Sequence, residues 1–162
     1  MSCIAHYEIL NKAKFSDCLL LAGKIQRVEK GWWIFKRVIL DGEDEFQVHW
    51  EDSVVENGET FRFSGYTFAT LELFLEEFYS IKLSNGTHED WVRSLEKVFM
   101  GSYIFEAEVQ IPEIDIEKLR YFCNRDYSGE NELPEAMLSA RNFIINASTK
   151  TDPNRVVVII LN

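Results

Sequence analysis

A histidine stands beside two carboxylates at His49, Glu51 and Asp52, and that combination of side chains can supply a general base. The three histidines of the chain do not fall into an H-E-x-x-H or similar metal-binding spacing. The sequence also contains no G-x-S-x-G frame and no phosphate-binding glycine loop. Because an exposed strand residue opposite a buried Trp50 explains His49 without chemistry, we predict no catalytic residue and favour a function other than catalysis.

Carboxylates cluster in Asp41–Glu45, but their spacing does not match that of a calcium-binding loop, so a solvated acidic turn is predicted there. Glu106 and Glu108 alternate along a predicted strand and would face the same side about 7 Å apart. Pairs of carboxylates at such separations act in glycoside hydrolases. A polar outer strand face accounts for this pair without chemistry.

Three cysteines, Cys3, Cys18 and Cys123, form no C-x-x-C pair. We expect them to be small buried hydrophobic residues in a reducing compartment, with no metal site and no cofactor. The amino terminus lacks the basic and then apolar layout of a secretory signal. The longest apolar run, Val156–Leu161, is far shorter than the ~20 residues that span a bilayer. These features predict a cytoplasmic protein without a membrane partner.

Acidic side chains outnumber basic ones by 27 to 17, which gives a formal net charge of −10. Residues 41–60 contain acidic side chains but no lysine or arginine, and residues 102–136 also carry a net negative charge, whereas residues 1–40 carry a net positive one. Binding to phosphates requires a basic surface, so no direct nucleic-acid partner is predicted. An acidic surface instead suits a basic protein partner.

The length of 162 residues, with 46% hydrophobic side chains, predicts a single domain over residues 1–162. Its most regular part begins at Thr67–Lys82, where apolar residues recur at three- and four-residue steps and so predict an amphipathic helix. Asn85-Gly86 is expected to end this helix, and Thr87 to cap a second one that ends at Gly101. This helix pair is expected to cover a sheet.

Four short runs before the helix pair are separated by turn signals near residues 30, 41 and 57, which predicts an antiparallel meander. The runs are Leu19–Glu29, Trp32–Leu40, Glu45–Trp50 and Thr60–Phe63. Residues 3–12 fit a strand and a helix about equally well. Two later strands are predicted, an alternating one at Tyr103–Ile111 and a β-branched one at Arg155–Leu161 that is typical of a strand covered on both faces.

Shorter helices are predicted after Asp115, which can cap a helix through about Asn124, and at Glu135–Ile145, which Pro134 precedes at a first helical position. The predicted fold class is therefore α+β. It comprises an antiparallel sheet, made of the N-terminal meander and the later strands, covered by the amphipathic helix pair.

The first functional hypothesis is an acidic protein-binding inhibitor, of the immunity, antitoxin or anti-defence type, that caps a basic partner such as a toxin or a nucleic-acid enzyme. Carboxylates would steer the encounter with the cationic partner, and aromatic side chains would anchor the complex. The predicted partner-binding residues are Asp44, Glu45, Glu51, Asp52, Glu106, Glu108, Glu113, Tyr127 and Glu130.

The second hypothesis is a small enzyme or ligand-binding α+β domain, with an aromatic pocket between sheet and helices built from Trp32, Trp33, Trp50 and Tyr66. A concave pocket with polar groups of perturbed pKa would favour it, and solid packing of the tryptophans in the core would count against it. A third possibility, the subunit of a stable oligomer, requires only one exposed apolar face.

Overall fold

A computed structural model describes residues 2–83 and 89–162. Within them the fold is α+β, with a four-stranded antiparallel sheet, a separate two-stranded hairpin and six α-helices. The strands are β1 (Ser2–Asn11), β2 (Gln26–Lys30), β3 (Arg37–Asp41), β4 (Val54–Ser64), β5 (Gly101–Phe105) and β6 (Arg155–Leu161). The helices are α1 (Lys12–Lys24), α2 (Glu43–Ser53), α3 (Thr67–Tyr79), α4 (Glu89–Leu95), α5 (Ile116–Asp126) and α6 (Leu133–Ser148).

The four-stranded sheet has the order β4-β1-β6-β5, and every neighbouring pair of strands is antiparallel. β6 lies inside the sheet, and its residues from Val156 to Ile160 are all buried. The prediction of a strand covered on both faces is confirmed, because the β-branched side chains of β6 pack alternately on the two sides. Among the described residues β2 and β3 pair with each other and with no other strand, and a short 3-10 helix, Trp33–Phe35, lies between them.

Helices cover both faces of the sheet. The first helical layer consists of α3, α5 and α6 and packs on Tyr7 and the other odd-numbered buried residues of β1. The second helical layer consists of α1, α2 and α4 and packs on Val156, Val158 and Ile160 of β6. In the first layer the guanidinium of Arg125 donates two hydrogen bonds of 2.7 Å to the carboxylate of Glu77, which ties α5 to α3. The sheet therefore separates two hydrophobic cores.

Several local predictions are confirmed. The α+β class and the antiparallel sheet are present, and α3 begins at Thr67 as its apolar spacing predicted. The side chain of Asp115 accepts a hydrogen bond of 2.9 Å from the backbone N–H of Glu117 and caps α5, and Pro134 lies in the first turn of α6. All three cysteines are buried and unbridged.

Within residues 2–83 and 89–162, each helix is too short or too polar to span a lipid bilayer.

The predicted meander is largely wrong. Leu19–Glu29 is helical up to Lys24, because Phe15, Cys18, Leu19 and Ala22 recur at helical steps and are buried, and only its end belongs to β2. Trp32–Leu40 is not a continuous strand, since the 3-10 helix precedes β3. Glu45–Trp50 lies in α2, and the turn signal at Asn57-Gly58 lies inside β4.

The predictions after α3 also need correction. The helix pair does not cover one face, since α3 lies in the first layer and α4 in the second. The strand predicted at Tyr103–Ile111 ends at Phe105. Beyond it the chain follows α6, where the N–H of Val109 donates to the hydroxyl of Ser148 at 3.1 Å. The break at Asn85-Gly86 and the cap at Thr87 lie outside the described residues.

Candidate functional site

α2 carries the largest group of predicted partner-binding residues. Gly42 precedes the helix with a φ of 91°, a left-handed conformation that glycine adopts without strain. The acidic residues 43–45 then lie in the first turn, where the helix dipole favours negative charge. Phe46 and Trp50, four residues apart, are 0% and 3% exposed and point into the second layer. The opposite side of α2 consequently faces solvent.

Asp44, Glu45, Val48 and Glu51 form this solvent-facing side, which we term the α2 acidic face. Val48 is 65% exposed, and helical spacing places it between Asp44 and Glu51. Among the ion pairs of the described residues, none involves the carboxylates of Asp44, Glu45 or Glu51. An apolar side chain ringed by carboxylates can contact both the aliphatic and the charged parts of a lysine or an arginine.

Two other predicted residues are held by the first turn of α1. The ammonium of Lys14 lies 2.8 Å from Asp52, and that of Lys12 lies 3.0 Å from Glu106. The hydrogen bond from Lys14 lowers the pKa of Asp52 below its ordinary value. Because the N-terminal turn of a helix disfavours lysine, these carboxylates offset the cations there. Asp52 and Glu106 therefore stabilise the N-terminal turn of α1 by pairing with its lysines.

His49 is exposed, and its Nδ1 lies 2.9 Å from the backbone carbonyl oxygen of Glu45 one turn earlier in α2. The imidazole ring thus hydrogen-bonds its own helix. The described residues contain no group of three or more His, Cys, Asp or Glu side chains that could hold a metal ion.

The remaining predicted residues lie with the first layer, on the other side of the sheet from α2. Glu108 borders an open depression of about 540 Å³ beside Arg141, and Glu113 is exposed in the segment before α5. Tyr127 follows α5 and stacks on Tyr66, with ring centroids 6.1 Å apart. A hydrogen bond to Glu130 raises the pKa of the Tyr66 hydroxyl. The nine predicted residues thus do not form one continuous surface.

The hairpin tip, composed of Trp32, Trp33 and Ile34, was missed as a surface feature. These three side chains are 83%, 79% and 86% exposed. Trp33 has a φ of 54°, a left-handed conformation that costs a bulky residue about 1–3 kcal/mol. The signal in the sequence was an apolar run bounded by Lys30-Gly31 and by Lys36, which was interpreted as part of the strand predicted at Trp32–Leu40.

The aromatic pocket of the second hypothesis does not form. Trp32 and Trp33 contact each other at the exposed tip, with ring centroids 6.3 Å apart. Trp50 packs in the second layer against Phe46, at 5.5 Å, and Tyr66 lies with Tyr127 beside the first layer. The four side chains lie in three separate places, so they cannot line a common cavity.

A small cavity of about 250 Å³ lies at the free edge of β5 and is lined by Glu72, Ser102 and Tyr103 among others. Partial burial raises the pKa of Glu72, although a hydrogen bond with the Tyr103 hydroxyl opposes that shift. Burial likewise raises the pKa of Tyr103. Burial thus favours the protonated form of each group over its charged form.

Comparison with known proteins gives no assignment: no family model, no curated protein and no solved structure matches this chain. The α2 acidic face and the hairpin tip are therefore the candidate binding surfaces of the described residues.

Proposed function

We propose that the protein is an acidic protein-binding inhibitor, of the immunity, antitoxin or anti-defence type, that caps a basic partner protein through the α2 acidic face. The observation that carries the proposal is the exposure of Asp44, Glu45 and Glu51 around Val48, with none of these three carboxylates in an ion pair among the described residues. Unpaired carboxylates on a rigid helix are available to a cationic partner, because no ion pair within the protein has to be broken before the partner binds.

The proposed contact uses only some of the nine predicted partner-binding residues. Asp52 and Glu106 already bind Lys14 and Lys12, so a partner would have to replace those ion pairs. Glu108, Glu113, Tyr127 and Glu130 lie on the other side of the sheet, and one globular partner seated on α2 would not reach them. The proposed contact therefore consists of the α2 acidic face alone.

Long-range attraction would accelerate the encounter, and the exposed Val48 would supply a small apolar centre once the surfaces meet. A partner of this kind presents lysines and arginines, as the active sites of enzymes that act on nucleic acids do. Covering that basic surface would block its access to phosphates.

The test is affinity capture from an extract of the source cell with two charge-matched variants. One carries Asp44→Asn, Glu45→Gln and Glu51→Gln, and the control carries Glu108→Gln, Glu113→Gln and Glu135→Gln. Each set removes three exposed carboxylates, so both change the net charge equally.

Wild type and the control variant should retain the same basic protein, and the α2 variant should lose it. The association rate of the purified pair should fall as salt rises, because screening weakens attraction between exposed charges. Stoichiometric wild type should also abolish the activity of the captured protein. Equal loss in both variants, or capture of neutral and acidic proteins only, would contradict the proposal.

A further inference from the structure

The β2–β3 hairpin presents a convex apolar tip on a basic stem. Trp32, Trp33 and Ile34 are contiguous in sequence, and each is more than three-quarters exposed. Gln26 and Arg27 of β2 and Arg37 and Val38 of β3 are exposed as well, so the hairpin projects from the body of the protein. Contiguous exposed apolar side chains of this size mark a surface that binds another molecule.

Cations surround the base of the tip. Lys30 and Arg37 are directly opposite each other in the antiparallel ladder, and like charges in that position repel. Lys36 adds a third cation, whereas Glu29, 3.6 Å from Lys36, is the only carboxylate within the hairpin strands near the tip. A negatively charged surface placed against the tip would relieve the repulsion between Lys30 and Arg37.

We infer that the hairpin tip docks onto an anionic lipid bilayer. Tryptophan side chains favour the boundary between headgroups and acyl chains, and lysine and arginine beside them attract anionic headgroups. Trp32 and Trp33 would enter that boundary with Ile34, and Lys30, Lys36 and Arg37 would remain among the phosphates. The expectation of no membrane partner rested on the lack of a spanning segment, which a surface hairpin does not need.

The negative net charge of the molecule does not prevent this contact. Along the chain after the tip, the first acidic cluster begins at Asp41, which is four residues along β3 from Arg37 and thus roughly 14 Å away. The Debye length at physiological ionic strength is about 8 Å, so that cluster is largely screened from a surface at the tip.

A bilayer fits the tip better than a nucleic acid does. Single strands bind through aromatic stacking along a basic groove, but the tip is convex and Ile34, its most exposed member, has no aromatic face. The indoles of Trp32 and Trp33 are also tilted by 49° to each other, so they do not form a continuous stacking platform.

Vesicle flotation with the full chain tests the inference. The probes are vesicles of pure phosphatidylcholine and vesicles of phosphatidylcholine mixed with phosphatidylserine. The tip variant carries Trp32→Ser and Trp33→Ser, and its control carries Leu20→Ser, which removes a 66% exposed apolar side chain from α1. The charge variant carries Lys30→Gln and Lys36→Gln, and its control carries Lys82→Gln and Lys150→Gln, both at exposed positions.

Wild type and both controls should float with the phosphatidylserine vesicles and much less with pure phosphatidylcholine. The tip variant should bind roughly tenfold more weakly or worse, because it removes most of the buried apolar area. The charge variant should lose about fivefold for each lysine removed. The substituted hairpin positions, which are 30, 32, 33 and 36, are all exposed. Circular dichroism should therefore show unchanged folding in the tip variant and in the charge variant.

Three results would overturn the inference. The first is no flotation with either kind of vesicle, including the case in which the tip instead binds a single-stranded oligonucleotide or a protein. The second is equal binding to neutral and anionic vesicles, and the third is binding that the Trp32 and Trp33 substitutions leave intact.

Discussion

At the scale of single residues, Gly58 was predicted to mark a turn, but it lies inside β4, where glycine is required for a different reason. His6 pairs with Thr60 and Glu8 with Asn57, so two residues of β4 face Tyr7 alone and form a β-bulge. A Cβ added to Gly58 would lie only 2.0–2.3 Å from three ring carbons of Tyr7, whose side chain is 5% exposed. Glycine is needed here because a buried ring crosses the backbone, and not because the chain turns.

We therefore predict that Gly58→Ala destabilises the protein by about 1–3 kcal/mol, since the Tyr7 ring must move within a packed core. Gly23→Ala is the matched control, because a Cβ at Gly23 in α1 meets nothing within 4 Å. That substitution should stabilise by up to about 1 kcal/mol through helix propensity. Urea denaturation measures both, and a similar effect of the two alanines would contradict the placement of Tyr7 over Gly58.

At the scale of elements, α2 shows where sequence patterns became ambiguous. Phe46 and Trp50 are four residues apart, a spacing that fits one face of a helix and also one face of a strand. Val48 distinguishes the two, because a strand would bury it between them and a helix exposes it. It is 65% exposed. The apolar pattern alone favoured the strand. The helix is stabilised by packing against α1, and this tertiary contact cannot be inferred from the sequence of α2 itself.

Elements whose pattern admitted one period were predicted well. α3 has a wide apolar stripe at helical spacing, and β6 is a β-branched run without polar interruption. The α2 acidic face was partly predictable, since its carboxylates were identified as a group while their helix was not. The exposed tryptophans of the hairpin tip were not predicted, because large apolar side chains are normally assigned to a core.

α3 also places a carboxylate against the edge strand β5. Glu72 is partly buried beside the hydroxyl of Tyr103, and its pKa is raised above the ordinary value mainly by that burial. The folded state then binds a proton at Glu72 more tightly than the unfolded chain does, whose glutamate pKa is about 4.3. The contribution of Glu72 to stability is therefore full below that pH and is lost as pH rises through its folded pKa.

Glu72→Gln should consequently make the protein more stable than wild type at pH 7–8, because the neutral amide still accepts a hydrogen bond from Tyr103 and avoids a buried charge. The advantage should shrink as the pH approaches about 4, where the wild-type carboxyl is protonated. Thermal unfolding between pH 4 and 8 measures this difference, with Glu113→Gln as an exposed control. A difference in stability that does not vary with pH would contradict the assignment.

At the scale of the whole molecule, the two proposed binding surfaces carry opposite charge. The hairpin tip has a basic stem, and the α2 acidic face begins just after β3 ends. Each surface is proposed to bind a different class of partner, and the separation along β3 weakens the attraction between their opposite charges. A protein held at a bilayer by its hairpin could in this way present α2 to a basic partner. The two contacts can be tested separately, since the substitutions in α2 leave the hairpin unchanged and those in the hairpin leave α2 unchanged.

The described residues form two separate hydrophobic cores, one on each side of the sheet, and β1 and β6 contribute side chains to both. If the chain is a single domain, as its length predicts, the cores must unfold together. The tryptophans allow a direct test, because Trp50 and Trp91 lie in or against the second core while the first contains no tryptophan. Trp32 and Trp33 are already exposed in the folded state, so the change in tryptophan fluorescence on unfolding reports mainly on Trp50 and Trp91, on one side of the sheet.

Phe122→Ala removes a buried ring of α5 from the first core, where it packs 5.4 Å from Phe74, and should cost about 3–5 kcal/mol. With a shared sheet, the midpoint observed by tryptophan fluorescence should fall as far as the midpoint observed by far-ultraviolet circular dichroism. Tyr121→Ala, at a 59% exposed neighbouring position, should lower the free energy of unfolding by no more than about 0.5 kcal/mol with either probe. A fluorescence transition that stays at its wild-type midpoint while the dichroism transition shifts would mean that the two cores unfold separately.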